Sequence, residues 1–391
     1  MNDIVILDGA RTAIGTFGGA LASVPPTALG AHVARAAMDR AGVDPGQIGH
    51  VVMGHVINTE PRDMYLSRVT GIEAGIPDHV PAMNVNRLCG SGLQAMVSAA
   101  QSLMLGEAEF ALAGGAETMS RGPHILPAAR FGQKMGDTSA IDMMIGTLTC
   151  PFGTGHMGVT AENVAREHQI TREEQDAFAL ESQRRARAAI TEGRFASQIA
   201  PIEVKVKRDM VAFDTDEHPK DTSAEALAGL RPAFQKGDTV TAGNASGIND
   251  GAAALVLATA DAAAKAGLKP RARILGYAHA GVRPEVMGIG PVPAVTKLLE
   301  KLGMTVDQFD VIESNEAFAA QACAVAKELG LNGDKVNPNG GAIALGHPVG
   351  ATGAIIAVKA LYELERIGGG KALCTMCIGG GQGIAVAFET M

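Results

Sequence analysis

Residues 30–54, GAHVARAAMDRAGVDPGQIGHVVMG, and residues 291–314, PVPAVTKLLEKLGMTVDQFDVIES, decide the fold. Each reads as an amphipathic helix closed by a glycine (Gly42, Gly303), then a short polar turn with a glutamine (Gln47, Gln308), then an apolar strand. Both anchor pairs are 261 positions apart (303 − 42 and 308 − 47). Farther on, Val85-Asn86 before Cys-Gly-Ser-Gly is answered by Val336-Asn337 before Asn-Gly-Gly. Several coincidences in one order indicate an α/β protein built from two similar halves; two generic α/β units without common origin are the alternative. Alternating strands and helices predict a mainly parallel sheet covered by helices on both faces. Ligands then sit beyond the carboxyl ends of the strands, where both Gly-rich turns fall.

Between the halves, from about Met119 to Thr241, the short-strand rhythm is lost. Loops rich in Gly, Pro and Met lead into a charged helical run from Thr160 to Arg194. This reads as an insertion in the first half, a lid or an assembly surface.

Bulk composition narrows the function classes. At 391 residues two or three structural units are expected, and a hydrophobic fraction of 47% supports large cores. Aromatic residues make up only 4%, with no Trp, which argues against a carbohydrate or single-strand nucleic-acid platform. A net charge of −8 without a long basic run makes nucleic acid and anionic membrane poor partners. Met1–Ala10 has no basic start and does not read as a secretory signal, while Ile4–Leu7 reads as a first buried strand. The most apolar stretch, 252–264, is short and broken by Asp261, so no membrane span is expected. Five cysteines in such a chain read as cytoplasmic thiols, not a disulfide framework.

Four clusters could carry chemistry. In Asn86-Arg-Leu-Cys89-Gly-Ser-Gly92, Cys89 lies where a strand gives way to the helix Leu93–Leu105. Free N–H groups and the helix dipole are expected to lower its pKa there; a buried structural cysteine is the plainer reading. Gly90-Ser-Gly92-Leu-Gln-Ala95 also fits a dinucleotide fingerprint. That needs an acid at the end of the next strand, and Glu109 precedes the strand Phe110–Ala113, which should end in Gly114-Gly115. The nucleotide reading is therefore rejected.

His347 stands in Gly346-His347-Pro348 within a Gly-rich turn, suited either to a structural role or to a base for a thiol. In Cys374-Thr-Met-Cys377-Ile-Gly-Gly-Gly, residues three apart on a strand face opposite sides, so the pair cannot chelate one metal. Cys377 opens into the glycines and faces a ligand, whereas Cys374, like Cys150 and Cys323, reads as core. Asn315, after an apolar strand, can position a water or a carbonyl, or cap a helix from Glu316 to Leu329.

Together these motifs resemble the thiolase family over essentially the whole chain. The matching stretches are Arg11-Thr-Ala-Ile-Gly-Thr-Phe, Asn-Arg-Leu-Cys89-Gly-Ser-Gly, His156-Met-Gly-Val-Thr-Ala-Glu, Ala242-Gly-Asn-Ala-Ser246-Gly, Asn315-Glu-Ala-Phe, Gly-His347-Pro and Cys377-Ile-Gly-Gly-Gly. The chain looks most like bacterial biosynthetic acetyl-CoA acetyltransferases, the β-ketothiolases of polyhydroxyalkanoate synthesis. The resemblance implies a five-layer αβαβα fold. Its first half would be 1–118 with 248–268, its inserted loop domain 119–247 and its second half 269–391. It further implies a homo-oligomer, a dimer of dimers, and no permanently bound cofactor or metal.

The implied reaction joins acetyl-CoA and an acyl-CoA into a 3-ketoacyl-CoA plus CoA. Cys89 would carry the acyl group after His347 takes its proton, and Cys377 would deprotonate the second acetyl-CoA. Oxyanion sites would come from His347 with a water on Asn315, and from the N–H groups of Cys89 and Gly379. CoA contacts would be Leu148, His156, Met157, Phe234, Ala242 and Ser246, with Phe318 near the acyl end. Lys220 stands where relatives carry an Arg, supplying charge without a planar fork. The alternatives are a degradative 3-ketoacyl-CoA thiolase, a decarboxylating condensing enzyme (against which Cys377 argues) and a non-catalytic CoA-binding protein.

Overall fold

The structure, a computed structural model, describes residues 3–206 and 208–391. Nine strands carry the core: β1 (Ile4–Arg11), β2 (His50–Gly54), β3 (Ala82–Val85), β4 (Phe110–Thr118), β5 (Asn249–Thr259), β6 (Ala272–Gly281), β7 (Val311–Ser314), β8 (Lys371–Ile378) and β9 (Gln382–Thr390). The principal helices are α1 (Pro26–Ala41), α2 (Leu66–Glu73), α3 (Ser91–Met104), α4 (Met157–His168), α5 (Arg172–Thr191), α6 (Pro291–Leu302), α7 (Ala319–Leu329) and α8 (Thr352–Arg366).

The strands run in the order β7-β8-β9-β6-β1-β5-β4-β2-β3. Only two residue pairs, Val5 with Arg273 and Ile6 with Ala272, join β1 to β6, so this is two half-sheets meeting at a short seam. Each half repeats one pattern. β2 lies parallel between β3 and β4, and β7 lies parallel to β8 with a parallel bridge from Ile312 to Val336 on its other side.

The sequence repeat survives in detail. Gly42 (φ 65°) and Gly303 (φ 63°) close their helices in the left-handed conformation. Gln47 and Gln308 then complete matching capping boxes with Asp44 and Thr305.

The expectation of a mainly parallel sheet is corrected. Pairings β4–β5, β5–β1, β1–β6, β6–β9 and β9–β8 are antiparallel. The reason lies in the connections. The glycines 379–381 turn β8 straight back into β9, and a hairpin reverses the chain where a helical crossover would not. The long insertion returns into β5 with no crossover requirement either. β4 also runs past Gly114-Gly115 to Thr118.

Alternate residues of β5, buried along its whole length, separate the layers. Ala253, Leu255 and Leu257 face α3 and α8, while Ala252, Ala254, Val256 and Ala258 face α1. In the second half, Cys374 and Met376 of β8 join the α3/α8 layer, and Leu373 packs with Ala294 and Leu298 of α6. The order is helix, half-sheet, central helices, half-sheet, helix. The central helices touch at Gly92 and Gly353, which are again 261 positions apart (353 − 92). A β-carbon on Gly92 would lie 2.4 Å from the Ala354 nitrogen, and one on Gly353 would lie 2.2 Å from the Leu93 nitrogen. Only glycine permits that approach, and it brings the starts of α3 and α8 to one point. Residues 119–247 add α4, α5, the hairpin Ile202–Val206 with Asp209–Phe213, and shorter paired segments.

Candidate active site

Cys89 precedes α3 in a loop folded upon itself. Asn86 Oδ1 accepts from Leu88 N, and Ser91 Oγ accepts from Arg87 N while donating to the Leu88 carbonyl at 2.6 Å. Leu88 is held at φ 43°, a left-handed conformation uncommon for a branched side chain. The backbone N–H groups of Gly379 and of Cys89 itself act to lower the pKa of the Cys89 thiol. Burial nevertheless raises it to about 11, outweighing those donors, with the charge of Glu117 adding to the rise. The expected lowering is thus overturned, because the thiol loses more to desolvation than the neighbouring N–H groups return. A base must take its proton.

His347 has the chemistry for such a base. Its backbone N–H donates to Asn249 Oδ1 at 2.9 Å, which fixes the turn. Its Nδ1 lies 2.6 Å from Thr352 Oγ1, and that hydroxyl donates its one hydrogen to the Pro348 carbonyl. Nδ1 therefore carries the ring proton, and the buried Nε2, without a partner, presents its lone pair. Burial lowers His347 to about 4, so it is neutral at physiological pH. The unfolded chain, with His near 6.5, binds a proton that the folded chain refuses between those values. Stability should therefore fall as pH drops from about 6.5 toward 4, by roughly 3 kcal/mol from this group. Comparing acid unfolding of wild type and His347→Gln checks this, and an identical pH dependence would refute it.

Cys377 ends β8 beside the glycine turn, fully buried with Met157 and Phe318, while Cys374 lies on the other face with its thiol toward the Ile356 carbonyl. Burial, then the neighbouring Cys89, pushes Cys377 well above the ordinary thiol range. The helix expected from Glu316 begins at Ala319, with Phe318 before its first turn, so Asn315 caps nothing. Its side chain is buried with both polar atoms unpartnered, the condition of a group awaiting a water or a carbonyl.

Among the residues assigned to CoA by resemblance, Met157 touches the Gly379 position, and its N–H donates to the Leu148 carbonyl. Leu148 and Cys89 pack against one small apolar cluster. His156 accepts from Gly158 N at the start of α4 and stacks on Phe234 at 4.7 Å. The Ser246 N–H donates to the Ala317 carbonyl, and Ala245 bridges Phe318. Ala242 is exposed. Lys220 lies in a separate surface recess with Arg184 and Arg187, its backbone N–H on Gln183. Among the described residues no cluster of three or more His, Cys, Asp or Glu is arranged to hold a metal ion, and no helix is long and apolar enough to cross a membrane.

Sequence reasoning missed Asn249, Thr352 and Glu117, all of which hold the His347 turn. Glu117 and Asp250 sit at one end of the paired, otherwise apolar strands β4 and β5, and a carboxylate in such a run is the signal that marks them. Glu117 also closes the nucleotide question, since its oxygens are taken by the Val56, Ile57 and Gly350 N–H groups.

Known proteins are similar to this chain over nearly its whole length. The family model "Thiolase, N-terminal domain" matches residues 4–261, and "Thiolase, C-terminal domain" matches 268–390. A β-ketothiolase of Cupriavidus necator is 59% identical over 389 residues, 99% of each chain, and an acetyl-CoA acetyltransferase of Chromobacterium violaceum is 52% identical over 99% of each. The crystal structure of the Bacillus anthracis acetyl-CoA acetyltransferase superposes with TM-score 0.98 at 46% identity, covering 100% of this chain and 99% of that one. Human mitochondrial 3-ketoacyl-CoA thiolase in complex with CoA gives 0.97 at 44% identity, covering 100% and 98%. With both family models matched in order and the fold shared end to end, the chain belongs to the thiolase family of acyltransferases.

Proposed function

We propose that this thiolase condenses acetyl-CoA with a short acyl-CoA, reversibly, to a 3-ketoacyl-CoA and CoA. The observation that carries the reading is the buried His347 imidazole with a bare Nε2, in the turn whose Val349 lies in the apolar cluster against which Cys89 packs. His347 takes the Cys89 proton as sulfur attacks the thioester carbon. The shifts to about 11 and about 4 are each the cost of one lone buried charge, and transfer makes a pair whose attraction offsets both. The Cys89 and Gly379 N–H groups face the oxygen on which charge develops, a stabilisation of about 3 kcal/mol per donor.

CoA leaves with the proton of Cys377. The resulting Cys377 thiolate removes a methyl proton from the second acetyl-CoA. His347, now bearing a proton on Nε2, and a water on Asn315 stabilise the enolate oxygen. Enolate carbon attacks the acyl group, Cys89 leaves and recovers its proton from His347, and every group returns to its starting state. His156, Met157, Phe234, Ser246 and Phe318 would line the CoA path, with Leu148, Ala242 and Lys220 toward its outer reaches.

The names of the relatives that align over nearly the whole chain, β-ketothiolase and acetyl-CoA acetyltransferase, support a short acyl group. Thiolysis of four-, five-, six- and longer-carbon 3-ketoacyl-CoAs tests this. The expected kcat/KM is highest at four or five carbons and falls about tenfold or more for long chains, as lost pocket contacts at 1–3 kcal/mol each imply. A kcat/KM that rises with length would instead establish the degradative thiolase. A non-catalytic CoA-binding role has no use for a buried imidazole whose Nε2 is left bare.

Halves at 1–118 with 248–268 and at 269–391, with the insert at 119–247, suit the strand order. A dimer of dimers is supported by β3, an edge strand with Met83 exposed beside Met64 and Tyr65, and by Phe131 and Met135, 92% and 87% exposed in the insert. Light scattering should give four chains per particle, and a monomer at micromolar concentration would rule this out. Cytoplasmic residence fits the free thiols.

A further inference from the structure

Glu117 and His55 form a buried pair that the reaction described above does not use. Glu117 is fully buried near the end of β4. Its carboxylate accepts Val56 N at 3.0 Å, Ile57 N at 3.1 Å and Gly350 N at 2.9 Å, and His55 Nδ1 lies 3.2 Å away. One side chain thus ties the segment after β2 to the turn containing His347, and Val349 of that turn lies in the small apolar cluster against which Cys89 packs. His55 is 4% exposed, and its Nδ1 also lies 2.9 Å from the Ala116 carbonyl.

The charges around the pair are few and near. The charge of Asp63, on the single turn Pro61–Tyr65, acts on His55, and the charge of Glu117 acts on Asp250 of β5 and on Cys89. Burial disfavours the His55 cation, but the charge of Glu117, the hydrogen bonds to Glu117 and Ala116 and the charge of Asp63 hold it at about 9. Asp250 is raised to about 6, by burial first, against its Ser120 bonds and with Glu117 adding to the rise. A lone carboxylate at position 117 would thus oppose any negative charge on Cys89; paired with an imidazolium it does so far less.

We propose that Glu117 is a positioning residue that fixes the His347 turn against the Cys89 loop, and that the His55 cation offsets the negative charge Glu117 would otherwise present to the Cys89 thiolate. This rests on the assignment of Cys89 and His347 as the acyl carrier and its base. The two residues therefore act in opposite electrostatic senses on one thiol, which packing alone does not do.

The test is the pH dependence of Cys89 alkylation by iodoacetamide, read at the Cys89 peptide by mass spectrometry. It uses wild type, His55→Gln, Glu117→Gln and the double variant, each with its thiolysis kcat and KM. Alkylation reads the thiol whether or not acyl transfer occurs, so failure of the proposed reaction would show separately. His55→Gln should move the alkylation midpoint up by about half a pH unit or more, whereas Glu117→Gln, which also removes the partner that keeps His55 charged, should leave it close to wild type. The double variant, with neither charge, should return close to wild type. Glu117→Gln should also lower kcat about tenfold while KM stays within about twofold, because its amide meets three N–H donors with one oxygen fewer. A midpoint that does not rise in His55→Gln, or that rises equally in Glu117→Gln, overturns the proposal, as does a wild-type kcat in Glu117→Gln. Should a single variant not fold, the double variant decides. A midpoint far from wild type there overturns the charge compensation, and one close to wild type with lowered kcat supports the positioning role.

Discussion

Replacing Cys89 by Ala removes the acetyl adduct that acetyl-CoA leaves on the wild-type chain and lowers turnover by roughly four orders of magnitude or more. The expectation follows from where the thiol sits. The N–H groups of Gly379 and Cys89 act on one sulfur, and Cys89 packs against the apolar cluster of Ile57, Met119, Met144 and Val349. Cys374 and Cys323 lack that setting. Cys374 is sealed in the central core, and Cys323 lies beside α5, where burial raises it to about 12. Intact mass after incubation with acetyl-CoA is the measurement. An undiminished adduct in Cys89→Ala, or none on wild type, would remove the mechanism entirely.

Cys377→Ala should separate the two half-reactions. Cys89 in this variant still takes up an acetyl group, because Cys89 and its N–H donors are intact. What is lost is exchange of the acetyl-CoA methyl protons with solvent, and condensation falls by about 10²–10⁴-fold, the range for removing a positioned general base. The high resting pKa of Cys377 makes it a strong base once CoA has taken its proton. Methyl exchange followed in deuterated water by NMR gives the answer, and retained exchange would rule Cys377 out as the base.

The sequence made some of this legible and hid the rest for physical reasons. Separation of Cys377 from Cys374 needed only the two-residue period of a strand, and the structure puts them in different clusters. The repeat was visible because helix caps and capping boxes are local, spelled out by Gly42, Gln47, Gly303 and Gln308. Strand sense was not visible, since it depends on where a connection returns, and residues 119–247 lie between β4 and the antiparallel β5 it joins. The state of the Cys89 thiol was misjudged for a related reason. The helix start is local, but desolvation comes from Val349 and Leu148, distant in sequence. Glu117 was passed over because its bond to Gly350 spans 233 positions.

The contact between Gly92 and Gly353 carries a consequence of its own. Each residue there is the other's counterpart in the repeat, so the approximate two-fold axis of the chain passes between them. A position on such an axis must be complementary to itself, as in an isologous dimer, and every side chain placed there meets its own image. Elsewhere the two halves were free to diverge: in the proposed reaction one carries the acyl group and the other supplies the base. At the axis they had to stay alike, and hydrogen is the only side chain small enough to face itself at that distance. The asymmetric chemistry of this enzyme is built around its most symmetric point.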